Sequence, residues 1–213
     1  MCFTRELSLK SFIVGIGSSL ALILFGNKKL KNTNLTIGLF YLFVSLMQII
    51  DFMIWSDLKC ENNLNKMASI AGPLLNHLQP VVFVLLASTF VDSNHFIPTK
   101  MLIAVNIVYS VYVADRYKDY LQKGDLCTKT NEENHLDWKW KYNFNYGFIF
   151  YFISMVNYAN FFHDINIVIV LAFSYLLLLV TKLNWYNNVG EIWCMLVTSA
   201  PLVPLLFQTF FSK

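Results

Sequence analysis

The sequence predicts an all-α integral membrane protein with seven transmembrane helices, and three observations carry that prediction. Of 213 residues, 56% are hydrophobic and 14% charged, where a soluble domain is about one quarter charged. The apolar residues gather in long blocks separated by short polar ones. Each block approaches the roughly 20 residues that a helix needs to cross the hydrocarbon core. The net charge of +3 is small and scattered, and no Lys/Arg run interleaves with aromatics, so nucleic acid is excluded as a partner. The expected partners are the lipid bilayer and a small polar solute or ion, with a homo-oligomer allowed.

Within a single domain over 1–213, the spans fall at about 8–26, 35–55, 66–91, 101–116, 143–162, 165–182 and 190–211. The first runs apolar from Ser11 to Phe25. Asn27, Lys28, Lys29 and Lys31 follow in place of a small-residue cleavage site, so it reads as a retained span. The second carries Gln48 and Asp51 at i, i+3, on one face, with Trp55 at its boundary. The fourth is diluted by Asn106, Tyr109 and Tyr112 and closed by Asp115-Arg116. A polar loop, 117–142, follows, with Trp138 and Trp140 near its end expected as interfacial anchors. The fifth contains Asn157 and Asn160, His163-Asp164 makes a tight turn, and the sixth ends in Lys182.

The third span organises the rest. It carries Pro73, Pro80, Asn76, His77 and Gln79 near its middle, although unpaired polar groups in hydrocarbon are costly and each proline removes a ladder hydrogen bond. Gly72, Asn76 and Gln79 share one stripe; Pro73 frees the carbonyl of Ser69 and Pro80 that of Asn76. The seventh span begins with Glu191 and Trp193, and its Pro201 and Pro204 free the carbonyls of Val197 and Ala200. With the N-terminal side named side A and the opposite one side B, the ionisable residues Asp51, Glu191, Lys182 and Asp115 fall in the A half, with His77 beneath them. This pattern predicts a cavity open to side A. Its solute- or ion-binding residues would be Gln48, Asp51, Asn76, His77, Gln79 and Glu191, and its helix kinks Pro73, Pro80, Pro201 and Pro204. Intramembrane ionisable groups are functional candidates by default; pairing of Asp51 or Glu191 with Lys182 as helix glue is the alternative.

Lys28, Lys29 and Lys31 form the densest basic cluster beside the first span, which favours an N-terminus that is outside or lumenal. Cys60 and Cys127 then share the outer face, where a disulfide between them can form; two unpaired thiols are the other reading.

Several classes are set aside on particular residues. Retinal proteins need a Schiff-base lysine inside the last span, and there is none before Lys213, so no cofactor is expected. Asp115-Arg116-Tyr117 matches the receptor tripeptide but closes the fourth span. Of the histidines only His77 lies at membrane depth, whereas His95, His135 and His163 are in loops, so no metal site is expected. The opening Cys2, Phe3 and Thr4 with Ser8, followed by Gln48, Asp51 and Trp55, resembles a group of uncharacterised multi-spanning proteins of large DNA viruses, algae and bacteria that begin Met-Cys-Phe-Ser/Thr. That resemblance implies the class and no activity. Spans one to three and five to seven, joined by span four, are analogous to the 3+1+3 parallel repeat of SWEET and proline-glutamine-loop transporters, where proline-broken helices flank the transport site. Together these features lead to a transporter or channel-like protein. The alternative is a seven-helix receptor or membrane assembly protein acting through the 117–142 loop, and an enzyme ranks third.

Overall fold

The computed structural model describes residues 4–91, 96–132, 134–144, 151, 165–184 and 189–211. In chain order the helices are α1 (Arg5–Phe25), α2 (Lys31–Ser56), α3 (Leu64–His77), α4 (Gln79–Phe90), α5 (Phe96–Gln122), α6 (Ile165–Asn184), α7 (Val189–Leu196) and α8 (Leu202–Phe211). Two two-residue strands, β1 (Lys129–Thr130) and β2 (Leu136–Asp137), pair antiparallel between α5 and the 3-10 turn Lys139–Asn143.

Among the described residues, four helical stretches are long and apolar enough to cross a bilayer: Arg5–Phe25, Lys28–Ser56, Ile165–Asn184 and Ile192–Phe210. The bent pair α3 and α4 makes a fifth if it is one span. The described residues therefore support a helical membrane protein with four to five such spans; the seven expected are not confirmed. The fifth expected span, 143–162, lies outside the described residues except at its first two positions and at Tyr151. α5 is not among these stretches, yet the placement of its polar residues is informative. Asn106 and Tyr109 are buried with Leu102 and Val113, while Met101, Ile107, Val108 and Val111 are exposed. Polar residues inside and aliphatic ones outside is the inverse of a helix on a water-soluble protein. At 27 residues α5 is about 40 Å long, enough for a bilayer, and it continues to Gln122. The expected loop thus loses its first turns to helix.

α2 is the central element, packed against α1, α3, α4, α6 and α7. Its closest neighbour is α1, whose buried face is Ser8, Ser11, Gly15, Ser18, Ser19 and Leu22. Small residues three and four apart let two backbones approach closely in lipid, where packing and hydrogen bonds drive association. A Cβ on Gly15 would overlap Ser45, and one on Gly38 would overlap Ile23. Thr4 caps α1 by accepting the Leu7 N–H at 3.1 Å, and the Arg5 guanidinium lies over the Phe52 ring at 5.9 Å. The start of α1 and the end of α2 therefore share side A. At the other end Gln208 accepts from the Asn27 N–H at 2.9 Å and donates to Asn34 at 2.8 Å and Asn166 at 3.0 Å. This buried amide cluster places the starts of α2 and α6 and the end of α8 together on side B.

Helix breaks occur beside Pro80 and Pro201, whereas Pro73 lies inside the continuous α3 and Pro204 in the first turn of α8, and most of the carbonyls the prolines free do not face a cavity. The Tyr120 hydroxyl donates to Ser69 O at 3.1 Å, next to the Tyr117 hydroxyl on Ile70 O. In the last span a 3-10 turn at Val197–Ser199 separates α7 from α8, and Val197 O and Ala200 O accept from Ala200 N and Val203 N, each at 3.0 Å. Ser18 Oγ donates to Thr198 O at 2.8 Å. Tightening to i, i+3 bonds and hydroxyls from neighbouring helices satisfy those groups, as burial requires. The bend of 48° between α3 and α4 falls at Leu78, just before Pro80.

Candidate functional site

The helices that carry the candidate residues of the second and third spans pack against each other. Gln48, Asp51, Asn76, His77 and Gln79 are all buried, on α2 and on either side of the bend at Leu78. An i, i+3 spacing aims Gln48 and Asp51 at the same neighbour, and the bend turns His77 and Gln79 toward different helices. His77 Nδ1 lies 3.1 Å from the Tyr109 hydroxyl of α5. The Tyr151 hydroxyl donates to Gln79 Oε1 at 2.6 Å, and the Tyr151 ring meets Trp193 edge-on at 5.8 Å. Trp193 Nε1 in turn donates to Ser174 O on α6 at 2.8 Å. Gln79 Nε2 has no hydrogen-bond partner among the described residues. Glu191 lies in α7, and its side chain is outside the described residues.

Contrary to expectation, the cluster is not open on side A. Asp51 has no exposed surface, because Trp138 covers it and donates its indole N–H to Asp51 Oδ1 at 2.8 Å. Trp140 stacks on Trp138 at 4.9 Å and fills the space left by the missing side chain of Gly72. Phe144 stacks on His77 at 4.2 Å. The two tryptophans expected at the membrane interface are therefore inside the bundle, and the described residues of 123–144 form a folded cap in place of an open loop. The sequence carried a signal for this. Leu136, Trp138 and Trp140 are fully buried and alternate with the partly exposed Asp137, Lys139 and Lys141, a period-two burial pattern that runs from β2 into the 3-10 turn.

Covalent and polar ties hold the cap. Cys60 and Cys127 form a disulfide with a Cα–Cα distance of 6.1 Å. Beside it the Asn65 side chain reads the backbone of Thr128 twice, donating to its carbonyl at 2.8 Å and accepting its N–H at 2.9 Å. Ser69 Oγ lies 2.8 Å from Thr128 Oγ1. Lys139 pairs with Asp125 at 3.2 Å and Lys141 with Asp137. Asp57, just past α2, shapes the adjoining turn. Burial pushes its carboxyl up, but the backbone N–H groups of Asn62, Asn65, Glu61 and Leu64 outweigh this and hold it below the usual carboxylate range.

The remaining candidates separate from the cluster. Lys182 is exposed at the end of α6 and makes no ion pair among the described residues, so it does not neutralise Asp51. Asp115 is exposed and pairs with Arg116 at 2.5 Å. Pro201 lies between the 3-10 turn and α8, and Pro204 in the first turn of α8, away from the cluster's hydrogen bonds. Among the described residues no group of three or more His, Cys, Asp or Glu side chains is arranged to hold a metal ion. The arrangement thus offers one buried carboxylate, one imidazole, three carboxamides and several aromatic faces. That set suits a small polar or cationic solute. Comparison with protein-family models, with curated proteins and with solved structures found no match.

Proposed function

We propose that this is a seven-span membrane protein that moves a small polar solute or ion through a site formed by Gln48, Asp51, Asn76, His77 and Gln79, with the 123–144 cap as its closed outer gate. The observation that carries the reading is the hydrogen bond from Trp138 to Asp51. A cap residue occupies the donor position that a solute would take, so opening means exchanging the indole N–H for a donor on the solute. Buried polar groups need such replacements, since an unsatisfied carboxylate in this setting is costly. The 48° bend at Leu78 and the breaks around Pro201 favour transport over pure scaffolding, as discontinuous helices line transport sites. The inward polar face of α5 favours counting it as a span. The disulfide favours side A facing an oxidising compartment, with the N-terminus outside or lumenal. The receptor or assembly alternative, acting through the loop, gains less: Trp138 and Trp140 of that loop are buried in the bundle.

The test is reconstitution into vesicles with a pH-sensitive dye, offering protons alone and then sodium, potassium and ammonium against a gradient. Flux above that of empty vesicles for at least one of them is expected. Absence of flux for all four, with no thermal stabilisation by any, sinks the proposal. Pro80→Ala separates site from scaffold within the same assay. Helix-interior proline costs about 3 kcal/mol relative to alanine in water, less in membrane helices, so the variant should be slightly more stable and slower in flux. Lower stability with flux unchanged would make the bend a packing device.

A further inference from the structure

Far from the capped cluster, the turn between α1 and α2 holds a different feature. Lys28, Lys29, Leu30, Lys31, Asn32 and Thr33 line a polar depression of about 250 Å³ on side B. All three lysines are exposed, and none has an ion-pair partner among the described residues. The described acidic residues lie toward side A; Asp92 and Asp164, which the sequence places toward side B, are outside the described residues. Three like charges within four residues repel one another, so their concentration here is unfavourable unless an anion joins them.

The turn that carries them is held in place. Asn27 Oδ1 accepts the Lys29 N–H at 3.0 Å, the Asn34 amide donates to Asn27 O at 3.2 Å, and the Asn27 N–H donates to Gln208. The backbone beneath the lysines is therefore fixed to the buried Gln208 cluster, and little ordering is needed before an anion binds. Immediately below, Leu24 and Phe25 are 69% and 78% exposed. An apolar collar followed within one turn by a basic rim matches the order of acyl chain and phosphate at a bilayer surface.

We infer that Lys28, Lys29 and Lys31 form a binding site for the phosphate of an anionic phospholipid, with Leu24 and Phe25 against its acyl chains. The shared chemistry is phosphate. The apolar collar selects the lipid-borne form over free phosphate. On side B, under the orientation proposed above, the site would face the anionic cytoplasmic leaflet.

The experiment uses the full chain in neutral detergent, with phosphatidylglycerol, phosphatidylcholine or inorganic phosphate added, read by native mass spectrometry and by the thermal midpoint. Phosphatidylglycerol should remain bound and raise the midpoint; phosphatidylcholine and inorganic phosphate should not. Lys28→Gln/Lys29→Gln/Lys31→Gln should abolish the retained lipid, each single change weakening it about fivefold. Lys100→Gln, on the same side, should leave it unchanged. If the triple variant does not fold, the three single variants and the all-arginine variant, which keeps the charge, decide the matter. Equal retention in wild type and the glutamine variants, no retention in either, or an equal effect of inorganic phosphate would each overturn the inference.

Discussion

Asp51→Asn is expected to remove the pH dependence of transport and of solute-induced stabilisation while leaving the protein folded. Asparagine retains an Oδ1 that can accept the Trp138 N–H, now made at 2.8 Å, so the cap should still seat. What disappears is the charge. Hydrogen bonds to a charged group contribute about 1.5–3 kcal/mol against about 0.5–1.5 for neutral ones, so a cationic solute should bind about tenfold more weakly or worse. Thermal shift across a titration of sodium, potassium and ammonium at several pH values measures this directly. Two outcomes would count against it: a variant that responds to pH and cations as the wild type does, or one that fails to fold. The second would make Asp51 a structural acceptor for Trp138, and the proposed site would lose its only described buried carboxylate.

Removing the disulfide by Cys60→Ala/Cys127→Ala should produce the largest loss of stability among these variants, concentrated in the cap. The bond closes a loop of 67 residues, for which loop-closure entropy gives an upper value of about 4 kcal/mol. The unfolded state of a membrane protein keeps its helices, so the measured loss should be smaller. Because Trp138 and Trp140 are cap residues buried against the bundle, loosening the cap should red-shift tryptophan emission. A lower thermal midpoint together with that shift is expected, both in the variant and on reduction of the wild type. If emission and midpoint stay as they are, Asn65 and the tryptophan packing hold the cap unaided, and the disulfide does not govern access to Asp51. Increased flux in the variant would further support the cap as a gate.

The class of the protein and the inward placement of its polar residues were legible in the sequence because both depend on local pattern. Apolar block length predicts α1, α2, α6 and the last span, and the i, i+3 spacing of Gln48 and Asp51 is a property of any helix. Proline positions predict breaks, and breaks occur at Leu78 and near Pro201. Sequence also set the serine and glycine stripe of α1, readable as three- and four-residue spacing once small residues are scored as contact residues rather than as polar ones.

Only the tertiary structure decided where the freed carbonyls went and whether Asp51 met water. Ser69 O is satisfied by Tyr120, 51 residues away, and Asp51 by Trp138, 87 residues away. No local rule links such positions, since the pairings depend on how α5 crosses α3 and on the path of the cap after Cys127. Average hydropathy likewise cannot tell which face of α5 a residue occupies. In a bilayer the cost of an exposed polar group forces each one to find a partner inside the bundle. Sequence therefore determined that partners must exist, and the packing of distant segments determined which ones they are.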